Sequence, residues 1–215
     1  YRSVYLISKP QVHIRDYRVN TAFRSEDQAG LLSGEVFFSE GAAGALRISV
    51  FDTGGHVQLT QTADIGTDWI DERGCYEDRT RFEFEIPHVL PWSAETPSLY
   101  RLVIALLSPD GQLVDCEATQ LGFRTIEIQR GQLKLNGKAL LIRGVNKHEH
   151  DPVTGHFETL DQVEADIRLM KANNFNAVRC PHCPHQVGFY DICDRLGMYV
   201  VDEANIETHG MTPMS

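Results

Sequence analysis

Near residue 125 the hydrophobic pattern of this chain changes its period, and that change constrains the fold more than any other feature of the sequence. From about residue 12 to residue 125 apolar residues alternate with polar ones. Leu46, Ile48 and Val50 do so in "LRISVF", Phe82, Phe84 and Ile86 in "RFEFEI", and Tyr100, Leu102, Ile104 and Leu106 in "YRLVIAL". A period of two half-buries a β-strand. Turn signals separate the runs, such as "TGGH" at 53–56 and "SPDGQ" at 108–112, where Pro presets φ and Gly tolerates positive φ. Many short strands with such turns predict an immunoglobulin-like β-sandwich over residues 12–125. The charged stretch "ADIGTDWIDERGCYEDR" (63–79) breaks the alternation and reads as a long excursion between strands.

Beyond residue 125 strands and helices alternate. "LKLNGKALLI" is expected to form a hairpin about Asn136-Gly137, its second strand running on through "LLIRGVN". In "TLDQVEADIRLMKANNF", Leu160, Val163, Ile167 and Met170 recur at helical spacing, and Thr159 with Gln162 forms a capping box. "NAVRC" reads as a buried strand. "GFYDICDRLG" reads as a helix presenting Phe189, Cys193 and Leu196 and stopping at Gly197, and "MYVVD" as a third strand. The order β-α-β-α-β with strands apolar on both faces implies parallel, right-handed crossovers.

Two architectures share this order, the closed (β/α)8 barrel and the doubly wound open sheet. An open dinucleotide-binding sheet carries a Gly-rich phosphate turn after its first strand, whereas "IRGVNKHEH" has one glycine followed by bulky polar side chains. The barrel is favoured, so the chain is predicted to be multidomain: an all-β sandwich followed by the first β-α-β-α-β units of a TIM barrel. Barrel chemistry gathers at the C-terminal ends of the strands. All three strands here end in polar clusters, "NKHEH", "RCPHCPH" and "DEANIETH", which are expected to converge.

Composition narrows the partners. A chain of 215 residues that is 42% hydrophobic is large enough for more than one domain. A net charge of −10 with no Lys/Arg cluster excludes the electrostatic footprint of nucleic acid or of an anionic membrane surface, and a neutral partner such as a sugar suits it better. No apolar run approaches the ~20 residues of a spanning helix, and the start has no signal-peptide pattern. Five scattered cysteines predict reduced thiols in a cytoplasmic protein. The first residue is Tyr1, and the last residues follow the most polar motif, so a piece of a longer protein is expected.

Each cluster admits a bland reading beside a chemical one. Glu207 and His209 are two apart, so in extended chain both point one way and could share a cation, yet the same acids could cap a helix from a solvated loop. Two ligands fall short of the six or so that Mg²⁺ takes. His148 and His150 alternate with Glu149, and such a pair could bind zinc, hold hydroxyls of a ligand, or lie idle at the surface. Cys180 and Cys183 have C-x-x-C spacing with His182 and His185 interleaved, but structural zinc recruits a second distant pair, and no other C-x-x-C exists in the chain. Arg179, a cation at the end of a buried strand, calls for an acidic partner, Glu203 or Glu207.

The motifs "IDERGCYEDR", "PWSAETPSLYRL", "LGFRTIEI", "LNGKALLIRGVNKHEHDP", "NNFNAVRCPHCPH" and "CDRLGMYVVDEANIETHG", in that order, resemble the middle of the large bacterial β-galactosidases of glycoside hydrolase family two. The resemblance covers essentially the whole chain. It implies that residues 1–11 end a preceding jelly-roll sugar-binding domain, that 12–125 form an immunoglobulin-like domain, and that 126–215 open the catalytic barrel, truncated. It further implies a retaining hydrolase of β-galactosides such as lactose, in which one carboxyl is acid/base and a second is nucleophile about 5 Å away. Neither carboxyl lies in this chain; the acid/base belongs to a Gly-Asn-Glu-Ser type of motif further along. By the same resemblance Glu207 and His209 match two ligands of an active-site Mg²⁺, with Na⁺ a further cation of the full enzyme. His148 and His182 match imidazoles that bind galactosyl hydroxyls and the transition state, and Arg179 an arginine that organises the pocket. Residues 63–79 match a loop that in tetrameric relatives enters a neighbouring subunit's site, so a homotetramer is implied. Pro181 and Cys183 depart from the family, which carries a small residue and a tyrosine there, and Asp151 stands where relatives often have a further histidine. The piece alone is expected to be inactive. A different class, a carbohydrate-binding or interaction module working through the sandwich, would bind sugar without the downstream sequence, and a zinc site at Cys180 and Cys183 would hold stoichiometric metal.

Overall fold

The computed structural model of the chain describes residues 4–39, 41–65 and 79–206. The chain divides into two compact units, one made of Tyr5–Trp92 and Ser98–Ala139, the other of Tyr1–Val4, Ser93–Pro97 and Leu140–Ser215.

The first unit is a sandwich of two antiparallel sheets. One sheet joins β1 (Ile14–Arg24), β2 (Ala29–Phe38) and β5 (Arg79–Ile86) in the order β1-β2-β5. The other joins β3 (Ala45–Phe51), β4 (Val57–Asp64), β6 (Tyr100–Leu107) and β7 (Leu113–Leu121) in the order β4-β3-β6-β7. The period of two is what closes it. Leu46, Ile48 and Val50 of β3 and Leu102, Ile104 and Leu106 of β6 turn inward, against Leu32, Val36, Phe82 and Ile86 of the other sheet. Phe84, expected inward, is only half-buried. Tyr100 opens β6, its ring edge-on to that of Phe123, and its hydroxyl accepts the Leu90 N–H at 2.8 Å. Such a tie across the corner is characteristic of immunoglobulin-like sandwiches. Trp92 is buried, and the Arg124 guanidinium lies 4.7 Å over its ring. The expected turns are present, with Gly55 and Gly111 both at φ 82. Of the 63–79 excursion, residues 66–78 fall outside the described residues.

A small meander follows in the same unit: β8 (Ile126–Gln129), β9 (Gln132–Leu135) and β10 (Lys138–Ala139). Asn136 and Gly137 both have positive φ between β9 and β10, the type I′ geometry that Asn-Gly favours.

The expectation that the second hairpin strand continues through "LLIRGVN" is not met. β10 ends at Ala139, residues 140–143 are irregular, and the next strand, β11, is Gly144–Asn146. The physical reason is the Asn176 side chain. Its Oδ1 accepts the Arg143 N–H at 2.8 Å and its Nδ2 donates to the Leu141 carbonyl at 2.9 Å, satisfying this backbone where a strand ladder otherwise would.

The second unit contains the β-α-β-α-β run. α1 is Leu160–Ala172, β12 Ala177–Cys180, α2 Val187–Leu196 and β13 Tyr199–Asp202, and β11, β12 and β13 pair in parallel in that order. α1 starts where its capping box predicts. The Gln162 N–H donates to Thr159 Oγ1 at 3.3 Å, and the Thr159 N–H donates to Gln162 Oε1 at 2.8 Å. Gln162 also donates through Nε2 to Asp151 Oδ2 at 2.8 Å, tying the preceding loop to the helix start. Val163 and Ile167 are fully buried and Met170 packs beside them, whereas Leu160, expected on the same face, is half exposed in the first turn. α2 buries Phe189, Ile192 and Cys193, with Leu196 packed against them. It ends at Gly197, whose φ of 75 is left-handed. A Cβ at Gly197 would also lie 2.3 Å from the Ala94 carbonyl oxygen, so close approach and conformation both require glycine. Among the described residues no helix is long and apolar enough to cross a membrane.

Candidate functional site

Parallel pairing brings the three polar segments to one end of one sheet. Asn146 is level with Arg179, and Cys180 with Asp202, so the residues that follow leave the sheet together. The ladder runs one step past β11, where the Lys147 N–H donates to the Arg179 carbonyl at 3.0 Å. Immediately beyond stand two exposed imidazoles. The rings of His148 and His182 lie 5.6 Å apart, tilted by 47°. The peptide bond that precedes His182 is cis.

Arg179 and Glu203 form the ionic centre of this end. Arg179 Nε donates to Glu203 Oε1 at 2.6 Å, with Nη2 on the same oxygen, and Arg179 Nη1 donates to Asn146 Oδ1 at 3.3 Å. The other oxygen, Oε2, is 3.9 Å from His182 Nδ1. Glu203 therefore stands between the guanidinium and the imidazole and is an acidic partner of Arg179; the other candidate, Glu207, lies outside the described residues. The pair is part-exposed, so water weakens its attraction, while the shared oxygen still fixes direction.

A set of buried polar groups supports the strand ends. Lys147 Nζ donates to Glu158 Oε1 at 2.7 Å and to Asp166 Oδ2, on α1, at 2.6 Å. Burial pulls the Lys147 pKa down, but the bonds to Asp166 and Glu158 outweigh it and hold the ammonium above its ordinary value. Glu149 Oε1 accepts the N–H of Gln186, which precedes α2 and has no side-chain cap of its own. The Tyr190 hydroxyl donates to Asp202 Oδ2 at 3.0 Å and accepts the His185 N–H at 2.9 Å; burial, then the bond to Asp202, pushes its pKa up to about 12. His185 is buried edge-on to Phe189, and burial lowers its pKa.

Sequence reasoning passed over Lys147, Glu158 and Asp166. Strand parity was the available signal: if His148 points to one side of β11's continuation, its neighbour Lys147 must point to the other, toward the helix. His150, grouped with His148 by parity, instead packs edge-on against His156 at 4.9 Å. The chain has left extended geometry by then. The carboxylate of Asp151 accepts the N–H groups of Thr154 and Val153 and the Gln162 amide; the backbone bonds lower its pKa and keep it ionised, with the charge held in the loop before α1.

Two metal readings meet different tests. Cys180 is buried, and burial followed by Asp202 pushes its thiol up to about 12, the reverse of what a zinc-binding or redox thiolate needs. Cys183 is exposed. Among the described residues no group of three His, Cys, Asp or Glu is placed to hold a metal ion. A magnesium ion at this end depends on Glu207 and His209, which lie outside the described residues. A carboxylate oxygen and an imidazole are acceptable donors for it, but they fill two positions of about six.

Residues 12–124 match the family described as glycosyl hydrolases family 2, and residues 126–215 match the glycosyl hydrolases family 2 TIM barrel domain. The chain is 47% identical over its full length to a β-galactosidase of Aeromonas hydrophila and 49% identical over its full length to one of Erwinia tasmaniensis. It spans 21% of the length of each of these relatives. Among solved structures, the β-glucuronidase of Bifidobacterium dentium complexed with coumarin-3-O-glucuronide superposes with a TM-score of 0.80 at 26% identity, covering 91% of this chain and 31% of that one. A family 2 glycosyl hydrolase of Bacteroides cellulosilyticus superposes with a TM-score of 0.79 at 26% identity, covering 91% and 27%.

Proposed function

The chain belongs to glycosyl hydrolases family 2, and from that premise we propose that it is part of a retaining β-galactosidase acting on terminal β-D-galactosides. The observation that carries the reading is the identity of 47–49% to two β-galactosidases across the entire chain. In this reading residues 1–11 end a sugar-binding jelly roll, 12–125 are a supporting sandwich, and 126–215 open the catalytic barrel. Its first strands supply recognition groups, while the acid/base and nucleophile carboxyls come from elsewhere in the barrel.

His148 and His182 are neighbours on the exposed end of the sheet, and each imidazole can donate to or accept from a sugar hydroxyl. Arg179, held by Glu203 and Asn146, sets the charge beside His182. Glu207 and His209 would hold a Mg²⁺ ion together with a further carboxylate and water. When bound, the ion would supply positive potential near the acid/base group. The complete protein is taken to be a cytoplasmic homotetramer, with the 63–79 loop reaching a neighbouring site.

The test is the complete protein with a chromogenic nitrophenyl β-galactoside. Hydrolysis that releases β-galactose first, followed by NMR before mutarotation, supports the reading, and α-galactose or no turnover refutes it. Residues 1–215 alone should not hydrolyse the substrate; saturable galactose binding by this piece would favour a binding module. EDTA should lower the rate and Mg²⁺ restore it, an effect that Glu207→Gln should remove.

A further inference from the structure

The Lys147 ammonium has three N–H groups and three acceptors. Two are the carboxylates of Glu158 and Asp166, and the third is the backbone carbonyl of His148, at 3.4 Å, a longer and weaker contact. The Lys147 side chain is 6% exposed and that of Glu158 2% exposed, so the first ion pair is sealed from water, whereas the Asp166 side chain is 46% exposed. A buried ion pair contributes little net stability but holds its partners in one geometry. What it holds here is the point where the chain leaves β11. The Lys147 N–H is bonded to Arg179, its side chain is committed to the helix side through Asp166, and the next residue must therefore emerge on the opposite side, where the His182 ring stands 5.6 Å from that of His148.

We propose that Lys147 is a positioning residue: clamped by Glu158 and Asp166, it fixes the backbone of His148 and so sets that imidazole against His182. The proposal rests on the reading of His148 as a sugar-binding group, and it adds a residue that touches no substrate. The charge balance supports it. One cation faces two carboxylates; among the described residues Glu158 Oε2 is buried with no hydrogen-bond partner and Lys147 is the cation paired with Glu158, and the loop from 147 to 158 is closed by this bond.

The experiment is a double-mutant cycle on the complete protein, with a nitrophenyl β-galactoside as the probe. Lys147→Met should lower kcat/KM by about 10²-fold through misplacement of His148. Because Lys147 acts through His148, the double variant Lys147→Met/His148→Ala should lose no more than His148→Ala alone. Lys147→Arg should recover part of the loss. Independent, multiplying losses, or full activity in Lys147→Met, would overturn the proposal. Should Lys147→Met not fold, Asp166→Asn, half exposed and milder, should show a smaller loss with the same non-additivity. If the unaltered protein hydrolyses no galactoside, the functional reading fails by itself. The crystal structure of Asp166→Asn or Lys147→Met then decides on positioning: His148 displaced from the His182 ring upholds it, and an unchanged separation refutes it.

Discussion

Arg179, on β12, and Glu203, one residue past the end of the neighbouring β13, meet at 2.6 Å at the end of the sheet, and the other oxygen of Glu203 faces His182. This places one carboxylate between a permanent cation and a titratable ring. Glu203→Gln keeps the shape and one acceptor but removes the charge. In the complete protein it should lower kcat/KM while shifting stability by no more than about 1 kcal/mol, since the pair is part-exposed. Steady-state kinetics beside a thermal melt check this.

Gly197→Ala should be among the most damaging small substitutions in the second unit. The left-handed backbone costs an alanine about 1–2 kcal/mol, and the new methyl would press on the Ala94 carbonyl oxygen, which also accepts from Lys171 at 2.7 Å. A lower thermal midpoint, or loss of soluble protein, is the expected result.

His185 should make the fold acid-sensitive. Burial lowers its pKa in the folded state, so below the ordinary histidine value of about 6.5 the unfolded chain binds the proton more readily, and stability falls as pH falls through that window. Above it the contribution is complete. Urea midpoints measured from pH 7.5 to 5 should fall less steeply in His185→Asn than in the unaltered protein.

The thiols should react in a fixed order. Cys180 and Cys193 are buried, and burial raises both, Cys180 to about 12, so neither offers thiolate at pH 8. Cys183 is exposed. An aromatic disulfide reagent at pH 8, followed by peptide mass analysis, should label Cys183 and the likewise exposed Cys116 in native protein, and Cys180 and Cys193 after denaturant is added.

Much of this fold was legible because periodicity reports burial directly. Leu46, Ile48 and Val50 could face inward together only on a strand, and Thr159 with Gln162 marked the start of α1 through local hydrogen bonding. What escaped depended on partners distant in sequence. The break at 140–143 is made by Asn176, more than thirty residues away, and the burial of Lys147 by Glu158 and Asp166. At the candidate site, strand ends predicted which side chains gather, and His148, Arg179 and His182 do gather at one end of the sheet. The departure of His150 toward His156 followed from a turn that alternation does not encode.

The amide of Gln162 has a consequence for how this chain can drift. Its oxygen is committed to Thr159 and its nitrogen to the carboxylate of Asp151, so it is read in one orientation only. A glutamate at 162 would cap the helix equally well but would set two negative groups head to head. An acid at 151 therefore favours an amide over an acid at 162, and a neutral or basic residue at 151 would remove that preference.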